Sequence, residues 1–467
     1  MIWIVLDRKS DISLTKQIYQ QIRNSILHGT IKSGEKLPST RELAATLSVS
    51  RNIVLEVYEL LIAEGYLIGA PGSGTYVAEG TFLADTPSKR THTISGDNNI
   101  SKDNNDLIDF RSGIPALEAF PRKKWSQLEQ QIWTDSPVAN LSYGPPEGRL
   151  ELREAICNHL HKYRGVEAEP NQIIVTTGAV QSLSLLTQIL LAPDRPYIIE
   201  EPIHREIQNI FSFNSSNKYP IPVDEFGLKT DLLPAELKPA LVMVTPSHQY
   251  PLGVVLPIQR RIELIEYART SGCYIIEDDY DSEYRYEGPP ISSLQGLDPN
   301  WVIYIGSFSK VLFPALRLGY MIVPSVLVKI CRQYKHLQDN HSQILPQLTL
   351  ARFIKEGYLE QHIAKMKKIY QKKRDLLISC LRDKFINEIK ITGQSTGLHL
   401  IVEFVSIKFT TDLLEEIKKT GVKVHPVEEH AFQKGFHSQK IIIGYSHLSP
   451  EEIKEGVSRL HSVLGKR

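Results

Sequence analysis

GSFSKVLFPALRLGY, residues 306–320, sets Lys310 in a run made mostly of small and apolar residues. Burial makes a charged ammonium costly and lowers its pKa. A lysine neutralised in this way is a good nucleophile toward an aldehyde. Taken alone, a lysine in such a loop more often snorkels to water. The run that leads into it, WVIYIGS (301–307), has the continuous apolar character of a buried strand, so Lys310 follows a strand end.

Four more runs share that character: IIVTT (173–177), YIIEEP (197–202), LVMVTP (241–246) and CYIIEDD (273–279). Longer segments with helical patterning, such as VQSLSLLTQILL and PIQRRIELIEYAR, separate them. Continuous apolar strands alternating with helices predict an α/β domain with a mostly parallel sheet covered on both faces. Ligands of such sheets bind at the carboxyl ends of the strands. The polar residues that close the runs are therefore the candidates: Asp278 and Asp279, Ser247 and His248, Ser307 and Ser309, with Lys310 beside them.

The 467 residues carry 54 Lys and Arg against 53 Asp and Glu, which gives no global reason for nucleic-acid or membrane binding. No apolar run is long enough to cross a bilayer, and MIWIVLDRKS lacks the order of a signal peptide. Cys157, Cys273, Cys331 and Cys380 are far apart and match no metal spacing, so no metal and a reduced, cytoplasmic setting are expected. Residues 80–106, rich in Ser, Thr, Asn, Asp and Gly, have the composition of a flexible linker. They divide a head, 1–79, from a body, 107–467.

In the head, Ser39 and Glu42 form a capping box that opens a helix over Arg41 to Leu47. Ser48-Val49-Ser50 is a tight turn, and Ser50 is placed to cap a second helix with Ile53, Val57, Leu60 and Leu61 as its apolar face. Arg51 and Asn52 lie outward on the first turn of that helix, an arrangement that suits a DNA major groove. YLIGAPGSGTYVAE predicts two strands around a Pro-Gly-Ser-Gly turn, a wing able to approach phosphates closely. Residues 1–79 hold 8 Lys and Arg and 8 Asp and Glu, so a protein-interaction module is an equal reading of the helix pair alone.

In the body, four candidate groups suit a cofactor that has an aldehyde, a phosphate and a pyridine nitrogen, namely pyridoxal 5'-phosphate. Lys310 offers the Schiff-base amine, Asp278 a carboxylate for the ring nitrogen, and Tyr280 a donor to the ring oxygen. Ser307, Ser309 and Arg317, with the backbone of Gly178, Ala179 and Val180 at a strand-to-helix turn, offer a phosphate cup. Each residue alone has an ordinary explanation: a loop carboxylate, a strand–helix turn, a surface salt bridge. The ordered set is much stronger than its members.

Both halves resemble a known family. The head is similar to GntR-type winged helices, in the pattern LPSxRxLAxxLxVSRxxVxxAYxxLxxEGYLxxxxGxGxxV, with Glu56-Val57 where Ala usually precedes the tyrosine. The body resembles fold-type I aminotransferases, through DFRSGIPALEAFPRKKW (109–125), SYGPPEGRLELREAI (142–156), VTTGAVQSL (175–183), EEPIHREIQ (200–208), TPSHQYPLGVVLP (245–257), IIEDDYDSEYRY (275–286), GSFSKVLFPALRLGY and GLHL (397–400). Together they resemble the MocR subfamily of GntR-type regulators.

That resemblance implies a winged helix-turn-helix, a large α/β domain and a small C-terminal α+β lobe. It implies DNA contacts by Ser39, Arg41, Arg51, Asn52, Ile53, Gly72, Ser73 and Gly74, with Ser50 at the helix start. It implies pyridoxal phosphate on Lys310, with Asp278 at the ring nitrogen, Tyr280 and His248 near the ring oxygen, and His204 where relatives often stack a tyrosine. Tyr143 would reach the phosphate of a partner subunit, so a homodimer follows. Glu206 and His447 stand where GABA-responsive members carry carboxylate-binding arginines, which argues against GABA and leaves pyridoxal phosphate, an amine or a peptide-like ligand as effector. The expected function is a DNA-binding regulator of vitamin B6 or amino-acid metabolism genes that senses pyridoxal phosphate or a compound reacting with it. The alternative is a working aminotransferase with an accessory DNA-binding domain, and a catalytically dead dimerisation scaffold ranks below both.

Overall fold

The computed structural model describes residues 4–70, 72–82 and 106–465. Contacts divide the chain into two compact units, 1–102 and 103–467. Most of the stretch with linker composition, and Pro71 of the wing turn, lie outside the described residues.

The first unit holds three helices, α1 (Leu14–Leu27), α2 (Thr40–Leu47) and α3 (Arg51–Ala63). A three-stranded antiparallel sheet places Gly74–Val77 between Lys36–Leu37 and Leu67–Ala70. α1 was not foreseen from the sequence; Ile18, Ile22 and Ile26 recur at helical spacing and pack into the core. The predicted capping box is present: Ser39 N–H donates to Glu42 Oε2 at 2.8 Å, and Glu42 N–H to Ser39 Oγ at 3.3 Å. Two expectations for α3 need correction. Ser50 occupies the cap position, but its side chain makes no capping hydrogen bond. The buried face is Val54, Val57, Tyr58 and Leu61, while Leu60 is 42% exposed and Ile53 only partly covered. Tyr58 fixes this rotation, because its hydroxyl donates to Pro38 O at 2.8 Å while its ring fills the core.

The second unit is built on an eight-stranded sheet. In spatial order its strands are Ile173–Thr176, Gly319–Ile322, Val302–Ser307, Tyr274–Asp279, Leu241–Val244, Tyr197–Glu201, Lys218–Asp224 and Gly227–Leu228. The five predicted strands are all present and almost wholly buried. The Gly319–Ile322 strand runs antiparallel to both of its neighbours, so the sheet is mixed. Apolar clusters line its two faces, one around Trp125, Ile156 and Phe353, the other around Leu185, Phe211 and Met243. A smaller lobe joins a four-stranded antiparallel sheet to helices Tyr358–Lys384 and Pro450–Leu464, with Leu400, Tyr370 and Leu460 in its core. Segment 108–116 enters that core through Ile108, Phe110 and Ala116.

The register brings the chemistry to one edge. Asp278 pairs with Ile305, Asp279 with Gly306, Ser307 with Gly319 and Gly319 with Thr176. Strand ends at 176, 278 and 307 therefore lie side by side, with Gly178, Lys310 and Arg317 in the loops just beyond them. Among the described residues, no helix is long and apolar enough to cross a membrane.

Candidate cofactor site and nucleic-acid interface

A cavity of about 270 Å³ opens at that sheet edge, walled by Gly178, Ala179, Val180, Asp278, Tyr280, Ser307, Ser309, Lys310 and Arg317. Its outer wall includes His204 and Glu206. Lys310 Nζ donates to Gly113 O at 2.7 Å. Burial lowers the pKa of that amine, an effect opposed by the charges of Asp281, Asp278 and Glu206. Asp278 is 8% exposed, and its Oδ1 is buried with no hydrogen-bond partner. Burial, reinforced by neighbouring Asp279, pushes its carboxyl up to about 7. A buried carboxylate with a free lone pair needs a cationic N–H to become favourable.

At the other strand ends, Ser309 N–H donates to Ser307 Oγ at 3.1 Å, and the two hydroxyls lie 3.0 Å apart. Helix Ala179–Leu190 begins without a side-chain cap, which leaves its first N–H groups available beside the cavity. Gly178 sits at φ +134°, a backbone conformation that glycine adopts freely, and a methyl group there would lie in ordinary contact with the Arg317 guanidinium, 3.4 Å away. Hydroxyls, uncapped N–H groups and a guanidinium that makes no hydrogen bond or ion pair within the described chain suit a phosphate. The partnerless Asp278 oxygen suits a pyridinium, and a buried amine suits an aldehyde. The residues present therefore fit pyridoxal phosphate.

Not every expected residue reaches the cavity. His248 does not line it. The imidazole lies behind Tyr280, with Nδ1 2.9 Å from Asp281 Oδ1, and Nε2 is buried without a partner. Tyr280 donates its hydroxyl to His248 O at 2.8 Å, so the histidine braces the tyrosine from behind. The Asp281 carboxylate holds the ring there, a contact that strand patterning cannot reveal. Tyr143 is 83% exposed and absent from the cavity of its own chain. His447 also lies outside the wall, with Nε2 2.9 Å from Asp109 O. Sequence reasoning missed Gly113, Tyr250 and His399, which join the wall from distant parts of the chain. The quoted motifs around Gly113, Tyr250 and His399 were the available signal.

In the first unit, Lys36, Ser39, Thr40, Gly72, Ser73 and Gly74 border one surface groove, which joins the start of α2 to the wing tip. Arg51 Nε donates to Thr40 Oγ1 at 3.3 Å, beside that groove. Arg41 and Asn52 are exposed, and Ile53 is partly covered.

Comparisons with known proteins agree with both halves. The family "Aminotransferase class I and II" matches residues 105–460, and "Bacterial regulatory proteins, gntR family" matches 14–77. The structure of Pyrococcus horikoshii kynurenine aminotransferase superposes with a TM-score of 0.71 at 27% identity, over 77% of this chain and 91% of that one. Thermus thermophilus LysN, an α-aminoadipate aminotransferase complexed with N-(5'-phosphopyridoxyl)-L-leucine, gives 0.71 at 25% identity, over 77% and 92%. The body thus has the fold of class I and II aminotransferases, fused to a GntR-type DNA-binding head. Whole-length relatives share the fusion. The uncharacterized HTH-type transcriptional regulator YdeL of Bacillus subtilis is 37% identical over 97% of both chains. The probable rhizopine catabolism regulatory protein MocR of Rhizobium meliloti is 33% identical over 99% of this chain and 96% of its own. The pyridoxine biosynthesis regulator PdxR of Corynebacterium glutamicum is 32% identical over 85% of each. The chain belongs to the MocR subfamily of GntR-type transcriptional regulators.

Proposed function

We propose that this regulator holds pyridoxal phosphate in the cavity at the sheet edge and couples its state to operator binding by a homodimer. The observation that carries the reading is the partnerless, buried Asp278 oxygen in the same cavity as the amine of Lys310, in a chain that matches HTH-type regulators along its whole length. When bound, the cofactor supplies an aldehyde that reacts reversibly with amines. Lys310 holds the aldehyde end, Asp278 keeps the ring nitrogen protonated, and Tyr280 turns its hydroxyl proton from His248 O to the ring oxygen. Ser307, Ser309, Arg317 and the N–H groups of the Gly178–Val180 turn bind the phosphate. His204 packs on the ring. The exposed Tyr143 serves the phosphate of a partner subunit.

In the head, Arg41, Arg51 and Asn52 read DNA from the start of α2 and α3. Ser39 and the wing residues Gly72, Ser73 and Gly74 approach the phosphate backbone. The effector is pyridoxal phosphate itself or an amine that competes with Lys310 for it. Fluorescence anisotropy on the DNA upstream of the chain's own gene, with and without pyridoxal phosphate at fixed salt, tests the reading. The expected result is saturable, competitor-resistant binding whose affinity the cofactor shifts. Failure to bind, combined with turnover of amino acids in a transamination assay, would favour the enzyme instead.

A further inference from the structure

The charges around the cavity are unevenly distributed. Among the described residues its one guanidinium, Arg317, stands beside Gly178 at the proposed phosphate end. Glu206 lines the cavity from the first turn of helix Arg205–Asn214, exposed, and no hydrogen bond or ion pair from the described residues reaches its carboxylate. A carboxylate at a helix start is ordinary. This one also acts on the site, because its negative charge favours the protonated forms of both Lys310 and His204.

His204, His399 and His430 bring no compensating positive charge. His204 Nδ1 accepts the Glu206 N–H at 3.2 Å, and His430 Nδ1 accepts the Arg205 N–H at 3.2 Å. Both bonds require an unprotonated nitrogen. His399 Nε2 lies 3.1 Å from Pro251 O and donates to it. Burial holds all three rings below the usual histidine range, His430 down to about 3. Arg205, next to Glu206, is exposed and does not line the cavity. Ile207 and Ile210 of the same helix, with Leu183 of the facing helix, supply an apolar strip.

We infer that the cavity admits an aliphatic diamine as effector, with one amine toward Lys310, the methylene chain on the apolar strip and the second ammonium on Glu206. A ligand with a carboxylate in place of that ammonium meets Glu206, and among the described residues the helix that carries Glu206 adds no cation to the cavity wall to receive it. The inference rests on the cofactor reading above.

The test is calorimetric titration of the cofactor-loaded full chain with three ligands of equal chain length: 1,5-diaminopentane, pentylamine and 5-aminopentanoate. The diamine is expected to bind at least tenfold tighter than either of the others. Glu206→Gln removes its advantage over pentylamine, and Glu206→Arg shifts the preference to 5-aminopentanoate. Equal or tighter binding of 5-aminopentanoate to the unmodified chain overturns the inference. So does a diamine advantage that survives Glu206→Gln, or binding of none of the three. Borohydride trapping of the cofactor, run on the same sample, separates the two failures. Trapping without diamine preference sinks only the effector, and no trapping sinks the cofactor reading together with it.

Discussion

Lys310 Nζ and the carbonyl oxygen of Gly113 are joined by a 2.7 Å hydrogen bond, and the glycine makes room for it. Gly113 sits at φ +77°, and a methyl group there would stand 2.6 Å from Nζ. Gly113→Ala is therefore expected to displace the amine. Borohydride reduction followed by mass spectrometry should trap at least tenfold less cofactor on the variant than on the unmodified chain, and Lys310→Ala should trap none. Full trapping on Gly113→Ala would show that the glycine does not position the lysine.

Asp278 carries a pH signature. Its folded-state pKa, raised to about 7 from 3.8, means that the folded chain keeps a proton which the unfolded chain has released. Stability of the cofactor-free protein therefore falls as pH rises between those values, by up to about 1.4 kcal/mol per pH unit from this group. Urea unfolding across that window should show a shallower pH dependence for Asp278→Asn. The same substitution should weaken pyridoxal phosphate binding by roughly 10- to 100-fold, the range of a charge-assisted hydrogen bond. An unchanged affinity in equilibrium dialysis would remove Asp278 from the ring nitrogen.

Arg51 stands exposed at the start of α3 and touches Thr40, beside the groove that reaches the wing. If it contacts phosphate, Arg51→Ala should weaken all DNA sequences alike and lower the slope of log affinity against log salt by about 1. If it reads a base, the loss should be confined to one position of the operator at about 1–3 kcal/mol. Anisotropy titrations at several salt concentrations separate the two. Unchanged binding would move the reading residues elsewhere on the head.

The five buried strands were legible because each is a continuous apolar run. Of the polar residues at their ends, Asp278, Ser307 and Ser309 line the cavity, whereas Asp279 and Ser247 accept hydrogen bonds from Arg164 on the other side. The helix face of α3 was not legible. Ile53, Val54, Leu55, Val57, Leu60, Leu61 and Ile62 surround that helix with apolar side chains, so periodicity leaves its rotation open. The Tyr58–Pro38 bond decides it, and that contact spans two elements. His248 was expected near the ring oxygen but does not line the cavity, since its orientation depends on Asp281, 33 residues away. Gly113 needed the tertiary structure for the same reason: its partner lies 197 residues further along.

Segment 108–116 is anchored to the small lobe. Its first residues pair with Val422 and Lys423, Ala116 N–H donates to the Tyr370 hydroxyl, and Ser446 donates to Ile114 O. Lys310 lies in the loop that follows a strand of the large sheet, so its bond to Gly113 joins the two lobes, beside the 3.0 Å contact of the Ser112 and Tyr250 hydroxyls. A ligand that draws the amine away gives up that one bond and leaves the Ser112 contact to carry the segment, so occupancy of a small cavity redistributes the load on a joint between lobes.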